Sequence, residues 1–173
     1  GAKATMMSCA INVINFYKGN NIKLPPYLAI MPPTYPFTSS NSIQKAFNKL
    51  LLTKKYNSLC SYADASTHPF SYVNLSKEKI EFNYIRYKNR VLSEFERTQD
   101  YPDSFVLSGS IRITKTSYFD NFLKNKSPFF SGYVIDFKKC LGFELSKREA
   151  YDINSTEDFE VAKFLLKNKK LFC

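Results

Sequence analysis

Tyr27-Leu28-Ala29-Ile30-Met31 is an apolar run held between Pro25-Pro26 and Pro32-Pro33. It reads as a short buried strand entering a rigid loop, because proline fixes φ and gives up a backbone donor on either side. Ser39 or Ser40 then stands where a helix N-cap is needed, and the apolar residues Ile43, Phe47, Leu50 and Leu51 follow at i, i+4, i+7 and i+8. Asn57 to Tyr62 is a second candidate for a buried strand. Strand, helix and strand in this order predict a βαβ crossover, a parallel sheet and an α/β fold class.

Working outward, Thr5 to Lys18 reads as a helix with Ile11, Ile14 and Phe16 among its apolar positions and Gly19 at the C-cap. Residues 69–113 alternate aromatic and polar residues (Phe70, Tyr72, Phe82, Tyr84, Tyr87) and carry most of the arginines. Extended, partly antiparallel segments are expected there. Phe105-Val106-Leu107 and Ile111-Arg112-Ile113 flank Ser108-Gly109-Ser110, a strand with a glycine where a ligand or another backbone could approach closely. Lys115 to Leu123 reads as a short helix and Gly142 to Leu145 as the last strand. Ser155 or Thr156 opens a final helix, with Ser155 and Asp158 at capping-box spacing and Phe159, Ala162, Leu165 and Leu166 as its buried stripe.

Length and composition bound the functional classes. A chain of 173 residues with 44% hydrophobic and 23% charged residues is long enough for one domain with a core, and not a disordered chain. Its longest apolar runs, such as Leu50-Leu51-Leu52, fall far short of the ~18 residues of a membrane span. No secretion leader is recognised, so a cytoplasmic domain is expected, with no membrane partner. The net charge of +10 suggests a polyanionic partner. It is nearly all lysine, however, in a sequence rich in Asn, Lys, Tyr and Phe, a bias that an AT-rich genome imposes on any protein. A nucleotide fits it as well as DNA or RNA does, and a nucleic-acid partner is not expected. Cys9, Cys60, Cys140 and Cys173 lie at no metal or redox spacing. His68 is the only histidine, and with Pro69 after it the reading is a loop residue before a general base. The glycines at 1, 19, 109, 132 and 142 are isolated, so no glycine-rich phosphate loop is present.

Four segments, in order, resemble the acylneuraminate cytidylyltransferases, which activate sialic acid and related nine-carbon sugars as CMP-sugars. Pro32-Pro33-Thr34-Tyr35-Pro36-Phe37 is similar to that family's Gln-Pro-Thr-Ser-Pro-Leu loop. Arg97-Thr98-Gln99-Asp100-Tyr101-Pro102 and Leu107-Ser108-Gly109-Ser110-Ile111 resemble Arg-Arg-Gln-Asp-Leu-Pro and Leu-Asn-Gly-Ala-Ile. Phe129-Phe130 falls where the family often has an aromatic pair beside the sugar. Asp152-Ile153-Asn154-Ser155-Thr156-Glu157-Asp158-Phe159 resembles the closing Asp-Ile-Asp-Thr-x-x-Asp-Phe motif. No one of these is decisive; their order and spacing over nearly the whole chain carry the resemblance.

The resemblance implies a Rossmann-like nucleotidyltransferase sheet with helices on both faces. It also implies a single domain over 1–173 that corresponds to the C-terminal two-thirds of such an enzyme, starting after the CTP-binding loop. Residues 69–113 would be a dimerisation arm of a homodimer. The implied reaction is attack of the anomeric hydroxyl of a nonulosonic acid on the α-phosphate of CTP, with release of pyrophosphate and charge neutralisation by Mg²⁺. Asp152 would be the catalytic and metal-binding carboxylate, and Asn154 stands where its acidic partner is expected. Pro33 and Thr34 would contact the nucleotide; Arg97, Thr98, Gln99, Ser108, Gly109, Arg112, Phe129 and Phe130 would contact the sugar. Read from the residues alone, Asp152 and Asp158 also suit helix N-terminal capping, and Phe129-Phe130 suit a core. The departures are Pro32, Tyr35, Thr38, Ser108, Arg112 and Asn154. They keep two further readings open, a non-catalytic binding or scaffold module and a basic single-stranded nucleic-acid binder. Without the CTP loop, this chain alone is expected to be inactive.

Overall fold

The computed structural model describes residues 5–82, 86–119 and 134–168. Those residues form two compact units, one of 1–62 with 107–173 and one of 63–106. The inserted segment expected at 69–113 is thus divided, because residues 107–113 belong to the first unit as part of a long strand.

The first unit opens with helix α1, Met6–Gly19. Thr5 caps it: the Thr5 hydroxyl accepts from Ser8 N–H and the Ser8 hydroxyl accepts from Thr5 N–H, each at 3.1 Å or less. Strand β1, Tyr27–Ile30, leads through the proline loop to helix α2, Ser40–Leu52, capped by the Ser39 hydroxyl. Strand β2, Ser58–Asp64, leaves the unit and β5, Phe105–Lys115, returns to it. Strand β6, Cys140–Glu144, and helix α3, Thr156–Lys167, complete it.

The sheet is mixed, with the order β1-β5-β2-β6. β1 pairs antiparallel with β5 in the register Ala29 to Ile113, and β2 pairs parallel with β6 in the register Cys60 to Gly142. The parallel sheet expected from β1, α2 and β2 is therefore corrected: those strands point the same way, but β5 lies between them and runs against both. Lys115 N–H donates to the Asn57 carbonyl and Ile111 N–H to the Ser61 hydroxyl, which sets the direction of the β2–β5 pair. Burial explains the placement. β5 is buried continuously from Ser108 to Thr114, as a strand covered on both faces must be, whereas β1 is only partly buried and sits at an edge.

Alternation along the strands sorts the helices. Ile111 and Ile113 of β5 pack with Leu59, Ala46 and Leu50 under α2, and Tyr27 of β1 packs on that side too. Arg112 reaches Met6 of α1 and Thr114 donates to the Val134 carbonyl, while Leu28 and Ile30 pack against the Met7, Ala10 and Ile14 stripe of α1. Residues at odd and even positions face opposite sides, so α1 and α2 cover the two faces. The buried stripes differ from the expected ones. Phe16, Leu51, Phe159 and Leu166 are exposed, and Ala162 is the buried member of the α3 stripe. Residues 116–119 are helical as expected; the rest of the Lys115–Leu123 helix lies outside the described residues. No helix among the described residues is long and apolar enough to cross a membrane.

The second unit holds an antiparallel hairpin of β3, Val73–Ser76, and β4, Lys79–Phe82, with Val73 opposite Phe82. Single 3₁₀ turns stand at Pro69–Ser71, Leu92–Glu94 and Thr98–Asp100. Of the alternating aromatics, Tyr72 is exposed while Phe70 and Tyr87 join a ring cluster: Phe70, buried, lies 4.5 Å from His68, 5.3 Å from Tyr101, 5.7 Å from Phe95 and 6.3 Å from Tyr87 between centroids.

Candidate functional site

Ser108-Gly109-Ser110 sits inside β5, where the ladder is irregular. Ile111 N–H donates to the Ser61 hydroxyl (3.0 Å), which is within reach of the Ser108 carbonyl (3.2 Å), and Ser110 N–H turns to the Ser108 hydroxyl (3.3 Å). Side-chain hydroxyls thus take over backbone bonds, a local disruption of the bulge kind. Its result is that Arg112, three residues on and in a regular strand on the far face, lies over Gly109. A Cβ at Gly109 would overlap the Arg112 guanidinium and stand 2.8 Å from the Tyr35 hydroxyl. The sequence marks this glycine as a place of close approach, and it is one. What approaches it is the chain's own Arg112 and Tyr35.

Tyr35 comes from the loop after β1, and its hydroxyl accepts Gly109 N–H at 3.0 Å. Burial pushes the phenol above its usual pKa; the Gly109 N–H pulls it down, the adjacent Asp152 carboxylate pushes it up, and Arg112 pulls it down. Asp152 is half-buried, and its Oδ1 is shielded from solvent with no hydrogen-bond partner among the described residues. The same loop is tied to the Asp152 segment by Ile153 N–H, which donates to the Thr34 carbonyl at 2.9 Å. Thr38 meets Ser110 through their hydroxyls at 2.6 Å. Glu149 accepts from Ser39 N–H (3.2 Å) and the Ser39 hydroxyl (2.7 Å). Burial alone would raise the Glu149 carboxyl, but hydrogen bonds from Ser42 and Ser39 outweigh it and hold the group below the usual range.

Arg112 is 5% exposed. Nη1 donates to Met6 Sδ at 2.7 Å, and the Cys60 thiol is close enough to feel its charge. Burial and the neighbouring Cys140 nevertheless push Cys60 up to about 12, against the pull of Arg112. Cys60 is therefore a poor nucleophile, since the thiolate is the reactive form.

Of the expected site residues, the fold brings together Thr34, Ser108, Gly109, Arg112 and Asp152, with Pro33 exposed one residue before Thr34. Asn154 has an exposed side chain, and its N–H donates to Asp158 Oδ2 at 3.0 Å. Asp158 is a cap: it accepts from Asn154 N–H, Ser155 N–H and the Ser155 hydroxyl, and these bonds hold its carboxyl below the usual range, the Asn154 N–H foremost. Phe129 and Phe130 lie outside the described residues. Arg97, Thr98 and Gln99 are in the second unit. Arg97 is taken up by a bidentate pair with Asp100, with nitrogen–oxygen distances of 2.9 and 3.0 Å, and Gln99 is exposed. Thr98 lines a cup of about 380 Å³ with Ser66, Thr67, His68, Ser71 and Ser104, a wall of hydroxyls with no formal charge. His68 beside it is fully engaged. Nδ1 accepts Phe70 N–H (3.2 Å), so Nε2 carries the proton donated to the Pro102 carbonyl (3.0 Å).

Tyr35, Met6 and Cys60 had no sequence signal as a group, because β5 joins them across the sheet. Glu149 carries no sequence signal for the same reason: its partner Ser39 is 110 residues away. Among the described residues no group of three His, Cys, Asp or Glu side chains gathers for a metal. The chain matches no family model and no curated protein sequence.

Proposed function

We propose that this chain carries the acceptor-sugar side of an enzyme that transfers CMP from CTP to the anomeric hydroxyl of a nonulosonic acid. One observation supports the reading above the others. Three segments picked out by the resemblance, the Thr34-Tyr35 loop, the Gly109 strand and the Asp152 segment, converge on one point, through Tyr35 to Gly109 and Ile153 to Thr34. In this reading the mixed sheet belongs to a Rossmann-like nucleotidyltransferase, and residues 63–106 are the arm of a homodimer. The exposed Leu75 and Ile80 of its hairpin agree with such a role. A cytoplasmic location belongs to the same reading.

In the reaction the sugar hydroxyl oxygen loses its proton to solvent and bonds to the α-phosphorus as the bond to the β-phosphate oxygen breaks, and pyrophosphate carries away the electron pair. Alignment and charge neutralisation are what a protein must add. Arg112 supplies a fixed positive charge for an anion such as the sugar carboxylate. Asp152 and Asn154 are oxygen donors two residues apart, and the shielded, unpartnered Asp152 Oδ1 is an atom that a cation would satisfy. Mg²⁺ commonly uses one or two carboxylates together with substrate phosphates, and in this reading Asp152 would be the residue to hold it. Bound there, it would neutralise phosphate charge.

Saturation-transfer NMR of the chain with N-acetylneuraminic acid and related nonulosonic acids tests the proposal. Transfer to the sugar, with Gly109 and Ser110 amide shifts that disappear in Arg112→Ala, is the expected result, while pyrophosphate release from CTP stays at background. No transfer at millimolar sugar would overturn it. A non-catalytic binding module is the second reading, favoured by Tyr35 and Arg112 filling the space above Gly109. Nucleotide binding indifferent to both Mg²⁺ and Asp152→Asn would select it.

A further inference from the structure

Among the described residues, strand β6 is an edge of the four-stranded sheet, paired on one side with β2. The phase of that ladder is set at its two ends, where Ser58 N–H donates to the Lys139 carbonyl (3.3 Å) and Leu145 N–H to the Tyr62 carbonyl (2.8 Å). In a parallel pair, successive residues turn their backbone groups alternately toward the partner strand and away from it. Leu141 and Phe143 therefore bond to β2, while Cys140, Gly142 and Glu144 present N–H and C=O outward. Five residues in unbroken register, with no proline and no bulge, are a template for another strand. The template is self-complementary. Two copies of β6 set antiparallel about a two-fold axis would place Gly142 opposite Gly142, the two residues exchanging both hydrogen bonds. The acceptor that this pairing needs is already taken. Lys49, in the last turn of α2, reaches round the edge: its Nζ lies 5.9 Å from the Phe143 ring centre and donates to the Gly142 carbonyl at 2.9 Å. Gly142 has no side chain to blunt the edge itself, and a Cβ there would stand 2.8 Å from the Tyr62 ring. We propose that Lys49 guards the β6 edge, holding the Gly142 carbonyl and a positive charge where a second copy of this chain would otherwise dock. The paired arrangement would also drive two ammonium groups together at the axis, so the guard repels as well as occupies. The inference is independent of the functional reading above.

The test is self-association of the full chain and of Lys49→Met, which keeps the length of the side chain and removes its charge and its donor. Sedimentation equilibrium gives the association constant, and hydrogen exchange over a concentration series shows which amides association buries. The unsubstituted chain should leave the Gly142 and Glu144 amides exchanging at every concentration, including in any dimer made through residues 63–106. Lys49→Met should associate at least about 10-fold more tightly, because the competing state loses a hydrogen bond from a charged group. It should also protect those two amides as concentration rises. Adding Glu144→Pro, which removes an outward N–H that the β2 ladder does not use, should reverse both effects, and Lys49→Arg should stay at the unsubstituted level. Unchanged association in Lys49→Met overturns the proposal, as does tighter association that leaves Gly142 and Glu144 exchanging. A lysine that served only the C-terminus of α2 would lower the thermal midpoint of Lys49→Met without altering association, and that result overturns it too. If Lys49→Met fails to fold, protection of the Gly142 amide that rises with concentration in the unsubstituted chain overturns it equally.

Discussion

The two units are held by different chemistry. In the first, aliphatic side chains from distant strands interlock: Leu59, Ile111, Ala46 and Leu50 are each at most 1% exposed, and they come from three elements brought together by the sheet. In the second, the packing centre is one ring, Phe70, surrounded by His68, Tyr101, Phe95 and Tyr87, while Leu75 and Ile80 of the hairpin face outward. A segment this short buries little apolar surface. Aromatic rings suit such a place, because each buries a large area and adds an edge-to-face preference of about 0.5–1.5 kcal/mol per pair. The lesson is that the first unit is redundant in its contacts and the second is not.

Truncating Phe70 to Ala should produce the largest effect, about 3–5 kcal/mol, concentrated in residues 63–106. Hydrogen exchange resolved by residue would show those amides losing protection while Leu59 and Ile111 keep theirs. Loss spread evenly over both units would break the comparison. Leu59→Ala should cost about 2–5 kcal/mol and appear in chemical denaturation as a lower midpoint for the first unit. Gly109→Ala comes next, at about 1–3 kcal/mol for an overpacked site. Because the added methyl strikes Arg112, the cost should shrink in the Arg112→Ala background, a non-additivity that a double-mutant cycle measures.

The smallest effects belong to the cap of α3. Ser155→Ala should cost about 1 kcal/mol. Asp158 adds a pH dependence whose sign is fixed by its lowered folded-state pKa. Its contribution is complete above the ordinary value near 3.8 and is lost as the pH falls through the depressed folded value. Fraying of α3 below about pH 4, read from its amide shifts and absent in Asp158→Asn, is the expected result.

Much of the local structure was legible. Thr5, Ser39 and Ser155 announce their helices because a cap is decided within four residues. The strands around Tyr27, Leu59 and Gly142 declare themselves by apolar runs. Strand order did not declare itself: β1, α2 and β2 read as a parallel unit, and only the doubly buried run of β5, far along the chain, reveals that it belongs between them. The exposed Phe159 and Leu166 show the same limit for helices, since periodicity gives a stripe but not what covers it. At the candidate site, Gly109 was readable as a point of close approach. Its occupants were not, because a strand irregularity at Ser61 and Ile111 decides where the Arg112 side chain lies.

The late arrival of β5 bears on synthesis. β1 and β2 leave the ribosome well before their shared neighbour, with all of residues 65–104 translated in between. At roughly 5–20 residues per second that interval lasts seconds, during which both strands present open edges of the kind that recruit other chains. Pro25-Pro26 and Pro32-Pro33 lie at the two ends of β1 and withhold backbone donors there. The same prolines that frame the strand in the finished sheet thus shorten the edge that a nascent chain would offer to its neighbours on a polysome.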